Sequence, residues 1–294
     1  MIEPGSESGA FVGRYLRRRA HTGRSMTGAS RAAAWVAVGA VIAITLVALL
    51  AGVLAPHDPV QPVGDIALSP GSSGFPLGTD GIGRDLLSRT LIGIRVSWFS
   101  SLLVVFIGLV VGGLIGLVAG AFGGWIDAVL MRGTDLFLAL PGALVAIAIV
   151  AALGPSLRNT LIAISLVWWP YYARIIRGEV RAIATRSHVE AARLSGVGPA
   201  RLLWRHILPG VVPTAIVAAS LDVGNVVLLL AGLSFLGLGQ AAPAPELGAD
   251  TARSLNLLLI DPWVPIIPAL AVMLLSLVAN LGGDGLRTLL AARR

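Results

Sequence analysis

At 294 residues the chain would suffice for one or two soluble domains, yet 56% of its residues are hydrophobic and only 13% are charged. That composition, with a mean hydropathy of +0.86, excludes an ordinary soluble globular protein and predicts a membrane protein. Cysteine is absent and all 22 basic residues are arginine. Disulfides, thiolate chemistry and the lysine of an ATP-hydrolysing phosphate-binding loop are therefore excluded.

These absences, together with four histidines that lack metal-ligand spacing, predict a protein with no catalytic residue, no metal site and no cofactor. The formal net charge of +7 could indicate a nucleic-acid partner. The arginines are instead distributed along the chain as membrane topology requires. We therefore expect membrane lipid around the chain and no nucleic acid.

Six charge-poor windows predict an all-α membrane protein with six transmembrane helices. The length of each helix reaches or approaches the thickness of the hydrocarbon core, about 30 Å. The predicted spans are Ala32–Pro56, Val96–Ile126, Leu136–Leu157, Asn159–Ala173, Val211–Gly239 and Pro262–Gly283. The fourth window is the shortest, with 15 residues between Arg158 and Arg174. The first window has 25 residues, which is too long for a cleaved signal peptide and favours an uncleaved first helix.

The charges between the spans predict the orientation of the chain. Segment 1–31 has six Arg against two Glu, and segment 174–206 has seven Arg against two Glu. Segment 57–95 has three Arg against four Asp, and segment 240–261 has one Arg against three acidic residues. Because positive loops face the cytoplasm, both termini are predicted to be cytoplasmic.

The chain then divides into five parts. They are a cytoplasmic basic segment (1–31), the first transmembrane helix (32–56), an external segment (57–95), a five-helix core that includes a cytoplasmic loop at 174–210 (96–286), and a cytoplasmic tail (287–294). In the external segment, Thr79 or Asp80 is predicted to cap an interfacial helix, with Asp80 and Arg84 paired at i,i+4.

The stretch "SHVEAARLSGVGPARLLWRHILPG" (187–210) predicts two short helices in the cytoplasmic loop. Ser187 and Glu190 have the spacing of a capping box, which places a helix start at Ser187. Pro199 follows Gly198 and is typical of the first position of a second helix. The first helix has small residues around one large apolar side chain, Leu194. It is either a docking element that a partner approaches closely or half of an amphipathic hairpin on lipid headgroups. The small residues are Ala191, Ala192, Ser195 and Gly196.

The same stretch resembles the EAA loop of bacterial ABC importer permeases, since Glu190, Ala191 and Ala192 are followed by Gly196 and then by "HILP". The form "RHILP" is similar to that of the oligopeptide, dipeptide and nickel branch. Four further blocks resemble the C-type permease subunit of that branch, in the same order: "PLGTDGIGRDLLSR" (76–89), "YARIIRGEVRAI" (172–183), "GLSFLGLG" (232–239) and "NLGGDGLR" (280–287). The chain departs from many relatives in having Leu230 where they have Glu.

The resemblance implies a type I ABC importer permease fold in the bacterial inner membrane, crossing it several times. It implies a role in coupling to ATP hydrolysis for Glu190, Ala191, Ala192, Leu194, Ser195 and Gly196. It also implies four partners: a homologous B-type permease subunit, separate ATP-binding subunits, an extracytoplasmic solute-binding protein that contacts 57–95 and 240–261, and a peptide substrate. Nickel import by the same architecture is an open alternative. A self-sufficient secondary transporter is another, but it would require ionisable residues within several spans.

Asp222 is the one acidic residue predicted within a span, about 18 Å along the fifth helix from Pro209. Because a central Asp costs about 2.5–3.5 kcal/mol on insertion scales, it should face a cavity or a partner. One interpretation is that it lines the translocation path and binds the amino terminus of a peptide. The other is a hydrogen-bonded packing role with Asn225 or with a polar group of the companion subunit.

Overall fold

The computed structural model describes residues 28–292, and within them the predicted all-α character is confirmed. Only two isolated β-bridges, Ser72–Phe75 and Thr79–Asp85, accompany the helices in this range. Most of the basic segment predicted to be cytoplasmic lies outside the described residues. The α-helices are α1 (Gly28–Leu54), α2 (Leu86–Phe122), α3 (Gly124–Leu138), α4 (Gly142–Leu153), α5 (Leu157–Ala184), α6 (Ser187–Leu194), α7 (Pro199–Leu202), α8 (Leu208–Phe235), α9 (Leu247–Arg253) and α10 (Trp263–Ala291).

Four helical stretches within residues 28–292 are long and apolar enough to cross a membrane. A fifth results if α3 and α4 are counted as one span, although they are bent by 82° at the break between them. The helix α5, with 28 residues, is not among them. The structure therefore supports four or five of the six predicted spans by length and hydropathy. The four stretches are Ser30–Leu54, Leu86–Phe122, Pro199–Phe235 and Trp263–Ala291.

The bounds of two predicted spans are wrong. The helix predicted from Val96 begins at Leu86 and ends at Phe122, because Gly123 and Gly124 have positive φ angles of 63° and 55° and reverse the chain there. The span predicted at Leu136–Leu157 is not one helix. It consists of the end of α3, the break at 139–141 and α4, and its last residue already belongs to α5.

The interfacial helix predicted to begin at Thr79 or Asp80 is also wrong. Asp85 caps α2 instead, since its carboxylate accepts hydrogen bonds from the backbone N–H groups of Leu87 and Ser88. The Thr79 hydroxyl accepts from Leu68 N–H and donates to the Asp65 carbonyl, so it stabilises a turn. The pairing of Asp80 with Arg84 is confirmed at 2.6 Å, although it lies in a turn rather than in a helix.

A row of glycines brings α2 and α5 into close, parallel contact. Gly108, Gly112, Gly116 and Gly120 face Tyr172, Trp169, Ala173 and Val180 in succession. A methyl group at Gly112 or Gly116 would collide with a backbone carbonyl of α5, and one at Gly120 would lie 2.8 Å from the Val180 side chain. Small residues at every fourth position allow helices in membranes to approach in this way. The two helices consequently form one rigid unit.

The loops gather at opposite ends of the helix bundle. We call the end formed by residues 55–85 and 236–262 the capped end, and the end formed by residues 185–207 the loop end. The short helix α9 is inserted into the capped end, where Leu247, Gly248 and Ala249 are buried. Between the two ends, the main core surrounds buried side chains such as Trp98, Tyr172 and Leu230.

Candidate functional site

The helix α6 at the loop end begins at Ser187, as predicted, but its cap differs from the prediction. Ser187 is the first helical residue, so the cap position belongs to Arg186, and no side chain makes a hydrogen bond there. The predicted capping box with Glu190 is therefore wrong, since an arginine side chain has no acceptor to offer. Glu190 still lies in the first turn, where a negative charge is favourable to the helix dipole.

One side of α6 is fixed to the bundle and the other is free. Val189 is its one buried residue and joins an apolar cluster with Ile183 of α5 and Val211 of α8. Leu194 points away from this cluster and is 84% exposed. The structure brings the six predicted coupling residues together on one short helix and its end, with Ala192 half-buried and the others exposed: Glu190, Ala191, Leu194, Ser195 and Gly196.

Gly196 ends α6 in a left-handed conformation with φ +80°. Its N–H donates to the Arg193 carbonyl at 3.1 Å, and the Val197 N–H donates to the Ala192 carbonyl at 3.2 Å. These two hydrogen bonds define a Schellman motif, which favours glycine at this position because other residues lack its freedom at positive φ. The small size of Gly196, on which its predicted role rests, is therefore not its only structural requirement.

The second short helix of the loop forms as predicted. Pro199 occupies the first turn of α7, and Leu202 and Ile207 bury the apolar face, whereas Arg201 and Arg205 remain exposed. A π-helical turn at Leu203–Ile207 then leads directly into α8. The loop is therefore helical over most of the connection between α5 and α8.

Asp222 lies on α8 and is only 6% exposed. The Trp168 indole Nε1 of α5 donates to one carboxylate oxygen at 3.3 Å, and the Asn225 amide donates to the other at 3.4 Å. The Tyr172 hydroxyl lies beside the same carboxylate, outside hydrogen-bonding geometry. These contacts are those that the packing interpretation requires. Leu230 is fully buried in the apolar core.

At the capped end, Arg89 is a central residue that the sequence argument missed. Its guanidinium is 2% exposed and donates to the carbonyls of Pro59 and Pro243 at 2.7 and 3.2 Å. It also binds the Asp250 carboxylate at 2.6 Å. Burial raises the pKa of Asp250, while Arg89 opposes that rise. The one available signal was a lone arginine in the first turn of an apolar helix.

Glu246 holds α9 in place at the same end. It is fully buried, and its carboxylate accepts hydrogen bonds from the N–H groups of Gly248 and Ala249. Burial raises the pKa of this carboxyl group, and the two backbone donors oppose the rise. Beside α9 is an open cavity of about 250 Å³ lined by polar and charged residues that include Asp80, Arg84 and Arg253. No group of side chains in residues 28–292 has the arrangement of a metal site.

The described residues thus contain apolar helices long enough to cross a membrane and, at one end of the bundle, an exposed helical loop. The sequence model of one family, "Binding-protein-dependent transport system inner membrane component", matches residues 112–294. The chain belongs to this family, and it is a multi-pass permease component of the bacterial inner membrane.

Relatives with similar sequences support this assignment. The chain is 42% identical to the di/tripeptide transport system permease protein DppC of Pseudomonas aeruginosa, over 83% of this chain and 82% of that protein. It is 39% identical to the glutathione transport system permease protein GsiD of Pectobacterium atrosepticum (84% and 82%). It is also 39% identical to the probable D,D-dipeptide transport system permease protein DdpC of Escherichia coli (85% and 84%). The predicted resemblance to C-type permeases of this branch is confirmed.

A solved structure shows the same fold. A chain of the MetNI methionine ABC transporter in an inward-facing conformation aligns with a TM-score of 0.52 and 20% identity, over 69% of this chain and 97% of that chain. The predicted permease fold is thereby confirmed in its overall architecture. Membership of a binding-protein-dependent family also excludes the alternative of a self-sufficient secondary transporter.

Proposed function

We propose that the chain is the permease subunit of an ABC importer for peptides and forms the translocation path together with a homologous B-type subunit. The exposed face of α6, with Leu194 near its end, carries this proposal. An exposed apolar side chain on a helix at the end of the bundle is what a coupling partner requires. The relatives' names supply the substrate class. They mention dipeptides, tripeptides and glutathione, itself a tripeptide, and none of these three mentions nickel.

The proposed topology has six crossings with both termini in the cytoplasm. The bent pair α3–α4 forms the third crossing, since it leaves the loop end at Gly124 and returns to α5 at the capped end. The helix α5 forms the fourth, with Arg174 and Arg177 paired to acidic residues of α3. The arginine-rich loop end is cytoplasmic, and the capped end is external.

The ATP-binding subunits, which hydrolyse the ATP, bind at α6 in this arrangement. The solute-binding protein contacts the capped end, but the buried residues of α9 are not available to it. Within 240–261, residues 241–243 are exposed, and the largest exposed apolar side chains lie in the turn after α9, where Leu259 is 96% exposed and Ile260 is also exposed. We therefore place that contact at this turn and at the exposed parts of segment 57–85.

The role of Asp222 in the translocation path stays a prediction. Its burial and its two donors within the chain support the packing alternative. In that alternative the carboxylate holds α5 against α8 and does not meet the substrate.

An uptake assay tests the proposed function. Cells that lack this chain should lose uptake of radiolabelled dialanine or trialanine and should regain it when the chain is restored. Radioactive nickel, measured in the same cells, serves as the competing substrate. Restored nickel uptake without peptide uptake would contradict the proposal and support the nickel alternative.

A further inference from the structure

Asp127, in the first turn of α3, binds two arginines near the end of α5. The Arg177 guanidinium contacts both carboxylate oxygens, one through Nε and the other through a terminal nitrogen at 2.7 Å. Arg181, one turn further along α5, donates to the second oxygen at 2.5 Å. Asp127 itself is 7% exposed. The Arg177 side chain is 27% exposed and that of Arg181 47% exposed. The bidentate geometry nevertheless makes the Asp127–Arg177 pair more directional than an ordinary surface ion pair.

The Asp127 group is the most buried ion pair between α3 and α5, which also meet through an edge-to-face contact of Phe137 with Trp169. The buried residues of α3 are Asp127, Met131 and Thr134, which share one face of the helix. Met131 makes apolar contact with the α2–α5 unit, whereas the Thr134 hydroxyl is satisfied by a carbonyl of α3 itself. A second ion pair from α3 to α5, between Asp135 and Arg174, has both side chains more than half exposed. Exposed pairs of that kind contribute little.

The end of α5 is also the part of the bundle most directly joined to α6. Two residues, Thr185 and Arg186, separate the helices, and Ile183 of α5 packs in the same cluster as Val189 of α6. A displacement of α6 will therefore move the end of α5. The C-terminal end of α3 meets the 82° bend that leads into α4. The helix α3 can therefore rotate about this bend.

We propose that Asp127 is a positioning residue for energy coupling. By holding Arg177 and Arg181, it makes α3 follow the end of α5 when a partner displaces α6, and the movement reaches α4 through the bend at 139–141. This inference rests on the proposed function, because it requires an ATP-binding subunit that acts on α6.

Asp127→Asn tests the proposal, since it keeps the size of the side chain and removes its charge. The matched control is Asp135→Asn, which removes the exposed ion pair between the same two helices. The chain has no cysteine, so spin labels can be placed at exposed positions of α3 and α4, Val129 and Leu144. The complete complex, reconstituted in lipid nanodiscs, is measured with and without ATP and vanadate, and its ATPase rate is recorded.

The parent and Asp135→Asn should show a change in the distance between the labels when ATP and vanadate are added. In Asp127→Asn the fraction of molecules that change should fall roughly threefold or more, within the range known for single residues of coupling networks, while ATP hydrolysis continues. If Asp127 had only a structural role, Asp127→Asn would lower assembly, ATPase activity and the distance change together. Arg181→Gln, which keeps the Arg177 contacts, should give an intermediate result even if Asp127→Asn does not assemble.

Two results would overturn the inference, and only the second would also contradict the proposed function. If the parent complex changes its distance and Asp127→Asn and Arg181→Gln change equally, Asp127 has no positioning role, while the proposed function stands. If the parent chain does not associate with an ATP-binding subunit, the proposed function fails and this inference fails with it.

Discussion

The Arg89 guanidinium lies 2.6 Å from the Asp250 carboxylate, although 161 positions separate the two residues in the chain. The same guanidinium binds the backbone carbonyls of Pro59 and Pro243. One buried cation thus joins the start of α2 to both segments of the capped end. This arrangement fixes the surface that we assign to the solute-binding protein.

Arg89→Gln should destabilise the protein by about 1–3 kcal/mol, because it removes the closer arginine partner of the largely buried Asp250 and leaves Arg253 at 3.4 Å. The loss should be smaller in acidic buffer than at neutral pH, since the raised pKa of Asp250 would rise further and protonation removes the buried charge. Chemical unfolding of the detergent-solubilised protein measures both effects. The double variant Arg89→Gln/Asp250→Asn is the control and should recover part of the loss. Equal stability of the parent and Arg89→Gln would contradict the structural role.

Asp222→Asn should leave assembly and peptide uptake close to those of the parent, because an amide can still accept a hydrogen bond from Trp168. Asp222→Leu should lower stability by about 1–3 kcal/mol, since it leaves the donors of Trp168 and Asn225 unpaired. Thermal unfolding and uptake of dialanine are the measurements. A large loss of uptake in Asp222→Asn with normal assembly would instead support the translocation path.

The proposed orientation predicts which added cysteines an impermeant maleimide can reach. Cysteine at Ser73 or Ala241, both exposed at the capped end, should be labelled in intact cells. Cysteine at Ser187 should react only after the membrane is permeabilised. Labelling of position 187 in intact cells would reverse the orientation and remove α6 from the cytoplasm.

Substitutions at Gly196 should loosen the end of α6 according to their tolerance of positive φ. Gly196→Ala should cost about 1–2 kcal/mol locally, and Gly196→Asn should cost less because Asn adopts this conformation more readily. Hydrogen exchange of the Val197 amide, whose bond to Ala192 closes the motif, reports the opening. Gly198→Ala is the matched control, since Gly198 has a φ of −65° and open space around it. Equal exchange in Gly196→Ala and the parent would contradict this account.

Local signals in the sequence predicted part of this structure well. The restart at Pro199 follows from nearest-neighbour chemistry and is confirmed. The start at Ser187 is also confirmed, although the capping box from which it was predicted does not form. The prediction of a cap at Thr79 or Asp80 failed because Asp85, which caps α2, is an equally suitable residue nearby. The side-chain contacts that select among them are set by the fold.

Other features depend on distant parts of the chain and could not be predicted from one sequence. Hydropathy windows show that residues 136–157 are apolar, but they do not show the direction of the chain across a bend. The glycines of α2 suggest close packing, yet nothing in their spacing identifies α5 as the neighbour. The pairs Arg89–Asp250 and Asp127–Arg177 join residues 161 and 50 positions apart.

The association of the chain with its ATP-binding subunit, measured for Leu194→Asp, tests the central claim most directly. Leu194 is 84% exposed and makes no contribution to the described core, so this variant should insert and fold normally. A charge at an apolar contact should nevertheless abolish co-purification of the ATP-binding subunit. The control, Ala200→Asp, adds the same charge at an exposed position of α7 and should co-purify normally. Undiminished association in Leu194→Asp would contradict docking at α6 and would favour the alternative in which the loop lies on lipid headgroups.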